Sequence, residues 1–337
     1  MKFIIAACTF FVYTTFKYNK DAVISRIAEA ELPGIYETNS KSKYALDVST
    51  LGPNFTLGDK SVPVTILDAR KKEQASGLSK RDFFNKYGFV ILEHKSAMSE
   101  EDWVATDRQY NLTKEEYKTS FENNHPKMLD TYRNSNTPGK KIYAKEVEEL
   151  IRLLLPETKE VLAPAQGTLR RAVPDAHNAP VKAIHSDYGL DFDRLVNNTK
   201  GFPFPAYRAQ YEEIDANEFM LVNFWRPVLP MSKPLRSQPL AFLDASTLSK
   251  DDIVRLDLVN NGELIYELTS LKENARHQFY FYPDMSTDEV IMFKQFLQVR
   301  NESTSRMPAF HTAFPDPMAD NETEERTSFE YRFAVLS

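Results

Sequence analysis

The chain of 337 residues has one cysteine, Cys8, and only ten glycines. A single cysteine excludes an internal disulfide framework, a cysteine-ligated zinc site and a protein-ligated iron–sulfur cluster within one chain. The glycines form no Gly-x-Gly-x-x-Gly fingerprint, no phosphate-binding loop and no Gly-x-Ser-x-Gly elbow. Dinucleotide-binding, phosphate-loop and common hydrolase interpretations therefore fall away, and any metal site must use histidine and carboxylate ligands.

The charge balance gives no sign of a nucleic-acid partner. Lys and Arg total 42 against 48 Asp and Glu, a net charge of -6, whereas a nucleic-acid surface is basic. Hydrophobic residues make up 42% and charged residues 27%, as in an ordinary globular protein. Aromatic residues are abundant, with 23 Phe and 16 Tyr, and this favours strands.

The N-terminal apolar run from Phe3 to Phe16 is too short to cross a membrane as a helix. Lys2 in front of it is also found in short signal peptides, but no clear small-residue cleavage site follows. Because β-branched and aromatic residues dominate Phe10 to Phe16, we interpret the run as a buried first strand. We therefore predict a cytoplasmic protein without membrane association.

Short apolar runs separated by proline, glycine and asparagine clusters follow residue 160. Strands at this density predict a sandwich or barrel. The run at Val290 also fits a helix that starts between Ser286 and Glu289, but its β-branched and aromatic residues favour a strand. The predicted strands of this half cover residues 167–173, 183–188, 219–226, 240–243, 279–282, 290–297, 309–314 and 328–335.

The first half of the chain has a mixed α/β pattern, with a helix predicted over residues 142–155. We divide the chain into an N-terminal α/β cap and support region, residues 1–160, and a β core, residues 161–337, within one continuous structural unit. The polar breaks at residues 123–142 and 196–206 are candidate lids over a site.

The most informative motif joins a histidine and an aspartate two residues apart, His185 and Asp187. On a strand such residues project to the same face. They would supply two ligands of the 2-His-1-carboxylate triad that binds non-haem iron(II) and leaves coordination positions open. Of the remaining histidines, His311 is the best placed, because apolar and aromatic residues flank it in the strand-rich half. We predict these three residues as metal ligands.

A basic residue, Arg326, follows the third predicted ligand near the start of the last predicted strand. Its guanidinium can bind a carboxylate through two parallel hydrogen bonds, and the hydroxyl of Ser328 can add another. The two residues share a strand face and suit the far carboxylate of a cosubstrate such as 2-oxoglutarate. Arg332 lies on the same face and is a rival for this role or for a substrate carboxylate. An outward salt-bridge ladder is the alternative for both arginines.

Asn223 and Trp225 share one face of a predicted strand, and Arg226 lies on the other. Core packing is the simpler interpretation of Trp225. We place Asn223 beside the cosubstrate and Trp225 beside the substrate, and Arg226 can join them if a bulge reorients it. The full set of candidate substrate-binding residues is Tyr188, Arg208, Trp225, Arg226 and Arg332.

These segments, in this order, resemble the hydroxylase/desaturase family of fungi and bacteria related to gibberellin desaturase, a branch of the iron(II)- and 2-oxoglutarate-dependent oxygenases. The resemblance covers most of the chain and rests on short motifs whose joint order is specific. The pair Leu297-Gln298 departs from an expected Asp-Ser pair. The matching motifs are Asp68-Ala69-Arg70, Tyr87-Gly88-Phe89, His185-Ser186-Asp187-Tyr188, Asn223 to Pro227, Phe293-Lys294-Gln295, His311 to Phe314 and Arg326-x-Ser328-x-Glu330-x-Arg332.

The resemblance implies a double-stranded β-helix, or jelly-roll, barrel with flanking helices. It implies iron(II) at His185, Asp187 and His311, 2-oxoglutarate anchored by Arg326, and dioxygen as a further reactant. It also implies a small-molecule substrate from specialised metabolism, and the basic candidate residues fit an anionic, carboxylated one. The reaction would be hydroxylation, desaturation or oxidative cyclisation, for example a kainoid-type ring closure.

Two other functions fit a mainly β fold with this site. One is a metal-dependent, redox-neutral isomerase or lyase of the cupin type. The other is a non-catalytic barrel that binds a carboxylated ligand without metal. Binding of iron(II) and 2-oxoglutarate, followed by formation of succinate under air, separates the oxygenase from both.

Overall fold

A computed structural model describes residues 28–47, 57–106, 137–163, 167–172, 179–198, 204–260, 262–302 and 307–337. The predicted first strand, Phe10 to Phe16, lies outside the described residues. So do residues 123–136 and 199–203 of the two candidate lids. The described residues form two β-sheets with helices around them.

The larger sheet has eight strands and mixed parallel and antiparallel pairing. They are β1 (Ala28–Tyr36), β2 (Lys43–Asp47), β3 (Lys60–Asp68), β8 (Leu240–Leu243), β9 (Ile253–Asn260), β10 (Glu263–Lys272), β11 (Phe279–Phe281) and β13 (His311–Ala313). The strand order is β13-β8-β11-β3-β1-β10-β9-β2, so β13 lies at one edge.

The smaller sheet consists of β4 (Phe89–Glu93), β5 (Glu160–Leu162), β6 (Thr168–Arg171), β7 (Glu218–Pro227), β12 (Glu289–Val299) and β14 (Thr327–Leu336). The order is β4-β12-β7-β14-β5, and β6 also pairs with β14. The three long central strands are buried along almost their whole length. Burial on both faces explains the long apolar stretches of β7 and β12, whereas in β14 Ser328, Glu330 and Arg332 alternate with aromatic residues.

Aromatic side chains join the two sheets. The ring of Phe242 on β8 lies 5.1 Å from that of Phe293 on β12. It also lies 5.2 Å from the ring of Phe89 on β4. Such pairs bury large apolar areas and contribute beyond simple burial. The prediction of a mainly β protein is therefore confirmed.

The helices surround the sheets. They are α1 (Ala69–Ser76), α2 (Lys80–Tyr87), α3 (Glu100–Thr106), a π-helix (Gly139–Tyr143), α4 (Ala144–Leu154), α5 (Phe192–Asn198) and α6 (Phe204–Glu213). Trp103 of α3 packs 5.0 Å from Phe329 of β14, so α3 covers the outer face of the smaller sheet. Tyr143 of the π-helix lies 6.2 Å from the same ring. The predicted helix at 142–155 is confirmed.

The sequence prediction misses the hairpin of β9 and β10. On β9 apolar residues alternate with Arg255 and Asp257, which is the period of a strand, and these charges form ion pairs with Glu267 of β10 and Arg194 of α5. The predicted strand at 183–188 is shorter than expected, because only His185 and Ser186 form β-bridges. Strands that precede residue 160 occur in both sheets, and a domain boundary at that residue stays a prediction.

Gly189 allows a close approach between the end of this bridging segment and β10. A Cβ at this position would lie 1.7 Å from Glu267 Oε1. We expect Gly189→Ala to lower the free energy of unfolding by about 1–3 kcal/mol, the usual effect of overpacking, as measured by chemical unfolding. Glu267→Ala removes the obstructing carboxylate, so the double variant should lose less than the sum of both single losses. Additive losses would contradict the contact.

Candidate active site

His185 and His311 come from distant parts of the chain and meet as backbone partners. The N–H of His185 donates to the carbonyl of His311 at 3.1 Å, and the reverse bond is 2.9 Å. Ser186 pairs in the same way with Thr269 of β10, at 2.9 and 3.1 Å. The segment 185–187 therefore lies between β13 and β10, with the two imidazole rings 4.5 Å apart.

The third member of this group is Asp187. Ligand atoms of His185, Asp187 and His311 all lie within 4.8 Å of one another, the only such group of three among the residues that the structure describes. His185 Nε2 is 3.5 Å from Asp187 Oδ1. His185 Nδ1 lies 2.8 Å from the carbonyl of Ala183 and His311 Nδ1 3.4 Å from that of Ala309. Because a carbonyl only accepts, the proton of each neutral ring lies on Nδ1, and Nε2 is the nitrogen left to bind a metal.

The charge state of this cluster suits metal binding. Burial alone would raise the pKa of Asp187, but Arg332 and the two histidines hold that pKa well below its ordinary value. Burial, reinforced by the nearby His185, lowers the pKa of His311 to about 3. At neutral pH the cluster therefore offers a carboxylate and a neutral His311, the forms that bind metals.

Arg332 is shared by two carboxylates. Its Nη2 lies 3.3 Å from Asp187 Oδ2 and 2.9 Å from Glu330 Oε1. Asn223 joins the same network, since its Nδ2 donates to Asp187 Oδ2 at 2.6 Å and to Glu330 Oε1 at 3.2 Å. Asp187 thus has its second oxygen held by a guanidinium and an amide.

Arg326 has a different environment. It is fully buried, its Nε donates to Ser328 Oγ at 2.8 Å and its Nη1 to the carbonyl of Gln238 at 2.6 Å. Its Cζ lies 5.1 Å from the ring centroid of Trp225. No carboxylate in the described part of the chain forms an ion pair with it. Burial, followed by the nearby charge of Arg170, lowers the pKa of Arg326 to about 9. A buried cation in this state is stabilised by an incoming anion.

Ser328, Glu330 and Arg332 lie on one face of β14, and Arg326 immediately precedes this strand. In the antiparallel pairing with β7, Arg332 is opposite Asn223 and Glu330 is opposite Trp225. Ser328 and Glu330 are two residues apart, which on a strand is about 7 Å. The distance along β14 from Ser328 to Glu330, a member of the Asp187 network, is thus roughly the length of a five-carbon dicarboxylate.

The other predicted substrate residues divide into two groups. Tyr188 is buried and its ring lies 5.9 Å from Arg332 Cζ, so it borders the network. Arg226 points to the opposite face of the smaller sheet, where it contacts His94 at 3.0 Å. Arg208 is ion-paired on α6 with two carboxylates. The structure therefore brings Tyr188 and Trp225 toward the site and places Arg226 and Arg208 elsewhere.

Several residues at the site were not predicted from the sequence. Gln295 accepts a hydrogen bond from the backbone N–H of Asp187 at 2.6 Å. Phe293 packs its ring 4.7 Å from that of His311, and the Tyr266 hydroxyl donates to the carbonyl of Asp187. Phe293, Gln295 and Glu330 lie within the motifs that carry the family resemblance, whereas Tyr266 lies in the hairpin that prediction missed.

The residues present fit both expected groups. Two imidazole nitrogens and one carboxylate form the donor set of non-haem iron(II) sites with open positions. The buried guanidinium of Arg326 and the hydroxyl of Ser328 fit the far carboxylate of 2-oxoglutarate. Asn223 Oδ1 is also buried without a hydrogen-bond partner among the described residues, which suits a bound polar group. Fold and site define a non-haem iron(II)- and 2-oxoglutarate-dependent oxygenase.

Comparisons with known proteins agree with this class. Residues 35–336 match the family described as an oxidoreductase/YMDC permease-like domain, and the chain belongs to that family. Among the residues with described positions, no helix is long and apolar enough to span a bilayer.

Two curated relatives span most of the chain. The alpha-ketoglutarate-dependent dioxygenase phiK, from a fungal species, is 22% identical over 270 residues, which cover 79% of this chain and 84% of phiK. The hydroxylase/desaturase efuI of Hormonema carpetanum is 22% identical over 285 residues, which cover 81% of this chain and 83% of efuI. These relatives and the histidine–aspartate–histidine cluster confirm the predicted enzyme class and its iron(II), 2-oxoglutarate and dioxygen.

A solved structure shares the fold. The iron and alpha-ketoglutarate-dependent endoperoxidase NvfI superposes with a TM-score of 0.62 at 16% identity, over 93% of this chain and 98% of NvfI. This likeness confirms the predicted jelly-roll architecture.

Proposed function

We propose that this enzyme oxidises a carbon–hydrogen bond of a small specialised metabolite. In this proposal His185, Asp187 and His311 hold iron(II), and Arg326 with Ser328 holds the far carboxylate of 2-oxoglutarate. The observation that carries it is the buried guanidinium of Arg326, which has no carboxylate partner in the described residues. It donates to Ser328, on the face of β14 that also carries Glu330 of the Asp187 network. An uncompensated buried charge costs several kcal/mol, and a bound dicarboxylate would offset that cost.

The alternative anchor, Arg332, is less suited to the cosubstrate. Two carboxylates, Asp187 and Glu330, already share its guanidinium. We assign Arg332 the role of keeping Asp187 ionised and oriented. In this division Arg326 binds the cosubstrate carboxylate, and Arg332 binds Asp187 and Glu330.

The groups around the cluster orient the candidate ligands and exclude water from them. When bound, iron(II) supplies with dioxygen and 2-oxoglutarate the oxidising power of the reaction, and 2-oxoglutarate leaves as succinate and carbon dioxide. The carbonyls of Ala183 and Ala309 hold the two imidazoles with Nε2 free. Phe242 and Phe293 cover the ring of His311, at 6.2 and 4.7 Å, and keep water from that side.

The reaction type follows from the relatives only in outline. A hydroxylase/desaturase name favours hydroxylation or desaturation for this chain, and oxidative cyclisation such as a kainoid-type ring closure is a further outcome of the same hydrogen removal. Mass spectrometry of the product distinguishes a gained oxygen from the loss of two hydrogens. An N-prenylated amino acid with several carboxylates is the test substrate for ring closure.

The predicted anionic substrate has less support than the small-molecule class. Arg208 and Arg226 have partners away from the cluster, and two carboxylates share Arg332. An anionic substrate therefore stays a prediction, and both charged and neutral metabolites belong in the substrate screen.

Anaerobic addition of iron(II) and 2-oxoglutarate to the metal-free enzyme is expected to produce a weak visible charge-transfer band. The band should disappear in His185→Ala, because that variant lacks one of the three ligands, and should persist in Arg208→Ala, whose side chain lies on the surface of α6. Absorption spectroscopy in a sealed cuvette measures both. Absence of the band in the unaltered enzyme, together with no succinate under air, would instead favour the redox-neutral or the non-catalytic function.

A further inference from the structure

Gln295 connects the two chain segments that carry the candidate ligands. Its side chain is completely buried. Its Oε1 accepts from the backbone N–H of Asp187 at 2.6 Å and from the hydroxyl of Ser186 at 3.2 Å. Its Nε2 donates to the carbonyl of Ala309 at 3.1 Å. One amide group thus links the segment of Asp187 to the segment that leads into His311.

Gln295 reaches both segments because it is the extra residue of a β-bulge. In the pairing of β12 with β7, Lys294 lies opposite Val222 and Phe296 lies opposite Leu221. Gln295 has no residue opposite it in this register. A bulge redirects a side chain and bends its strand, and bulges recur beside active sites. The redirected side chain here extends to the candidate metal ligands.

Two consecutive residues at the bulge, Lys294 and Gln295, form hydrogen bonds with the backbone of Ala309. Its N–H donates to the carbonyl of Lys294 at 2.7 Å, and its carbonyl accepts from Gln295. The same carbonyl lies 3.4 Å from His311 Nδ1 and orients that ring. The position of Ala309 therefore decides where His311 Nε2 points, and Gln295 contributes to that position.

The other end of the Gln295 amide acts on the carboxylate ligand. Without it, the N–H of Asp187 would be a buried donor with no acceptor, which destabilises this position of the backbone. The bulge therefore contacts the segments of both Asp187 and His311, although neither ligand lies on β12.

We propose that Gln295 is a positioning residue that holds Asp187 and His311 at metal-binding separation. The inference rests on the proposal that these two residues and His185 bind iron(II). Ligands on separate segments bind a metal tightly only when the supporting contacts fix their geometry. Outer partners of metal ligands typically contribute about 10- to 100-fold in metal affinity, and the same range is expected for Gln295.

The test compares two methionine variants on the same strand. Gln295→Met keeps the length of the side chain but loses all three hydrogen bonds. Gln298→Met is the matched control, because Gln298 is also buried and donates to two carbonyls, those of Val299 and Glu302, both at 2.7 Å. Co²⁺, an air-stable substitute for iron(II), is titrated into each metal-free protein by calorimetry. Its visible ligand-field bands are recorded at saturation.

Gln295→Met should raise the Co²⁺ dissociation constant about 10- to 100-fold and alter the ligand-field bands. The Co²⁺ dissociation constant of Gln298→Met should stay within about twofold of that of the unaltered protein. Because both variants lose buried hydrogen bonds, the free energy of unfolding of the metal-free protein should fall by a similar amount in each. A purely structural role would lower the unfolding temperature of Gln295→Met and leave its Co²⁺ affinity unchanged. That result would overturn the proposal, as would an equal loss of affinity in Gln298→Met.

A second variant covers the case in which Gln295→Met does not fold. Gln295→Asn keeps an amide with its donor and acceptor, but the side chain is one methylene shorter and cannot reach both Asp187 and Ala309 as Gln295 does. It should bind Co²⁺ more weakly than the unaltered protein and show altered bands, and unchanged affinity with unchanged bands would contradict the proposal. Failure of the unaltered protein to bind Co²⁺ would instead contradict the ligand assignment itself, so the two failures are distinguishable.

Discussion

Arg326→Met is expected to weaken 2-oxoglutarate binding by about 30-fold or more and to stabilise the protein without cosubstrate. Truncation of a buried, hydrogen-bonded charge pair costs about 2–5 kcal/mol, and each 1.4 kcal/mol is about a factor of ten in affinity. Calorimetric titration of 2-oxoglutarate in the presence of iron(II), without oxygen, measures the loss. Unaltered affinity in Arg326→Met would contradict the proposed anchor.

Arg326→Met should stabilise the cosubstrate-free protein, although it weakens cosubstrate binding, because the guanidinium of Arg326 is buried. Burial, and then Arg170, lower the pKa of this guanidinium to about 9, so folding disfavours its charged form at neutral pH. Its contacts with Ser328, Gln238 and Trp225 offset this cost only in part, since none of them is anionic. Removal of the charge should therefore raise the free energy of unfolding of the cosubstrate-free protein by about 1 kcal/mol.

Arg332→Met is the matched control for this experiment. It removes the same chemical group, here from β14, and leaves Asp187 and Glu330 without their shared guanidinium. Breaking such a buried pair costs about 3–5 kcal/mol, so this variant should be clearly less stable than the unaltered protein. Chemical unfolding of both variants separates the two arginines by the sign of the change.

Asp187→Asn is expected to reduce metal affinity by more than the roughly 100-fold that is lost with an outer partner of a ligand. Aspartate supplies the only negative charge among the three candidate ligands. The substitution keeps the size of the side chain and still lets it accept from Asn223, so the fold should persist. Calorimetry with Co²⁺ measures the affinity, and succinate formation should fall in parallel.

Glu330→Gln tests whether charge alone explains such a loss. Glu330 is buried and contacts the same two residues as Asp187, namely Asn223 and Arg332. It lies outside the group of three candidate ligands. The variant loses one negative charge from the same network but no ligand, and its metal affinity should fall by about tenfold or less. Equal losses in Asp187→Asn and Glu330→Gln would mean that Asp187 acts through its field and not as a ligand.

Much of the candidate site could be predicted because its residues obey strand periodicity. His185 and Asp187 are two residues apart, and Arg326 and Ser328 have the same spacing at the start of β14. The alternation of Asn223 with Arg226 also places them correctly on opposite faces of β7: Asn223 contacts Asp187, whereas Arg226 contacts His94. A period of two is a local property, so it can be read from one segment at a time.

Other parts of the site depend on pairing between segments and could not be predicted. The bulge at Gln295 exists only in the register of β12 against β7, and no residue type in that strand indicates it. The β9–β10 hairpin supplies Tyr266 and positions Ser186 through a bridge to Thr269, and no local pattern shows this pairing between distant segments. Helix α6 buries only Phe204 and Tyr211, too few apolar positions for a clear helical period.

The short segment around His185 has a further consequence for the larger sheet. Strand β13 pairs with β8 on one side, and its other side would be an open edge without His185. His185 pairs with His311 on that side, and the next residue, Ser186, pairs with Thr269 of β10. Under the proposed ligand assignment, an ion bound by His185 and His311 would connect β13 to the segment around His185. The bound metal would then slow hydrogen exchange at the backbone N–H groups of His185 and His311. It would also keep the edge of β13 from pairing with another molecule, since open strand edges are a common route to aggregation.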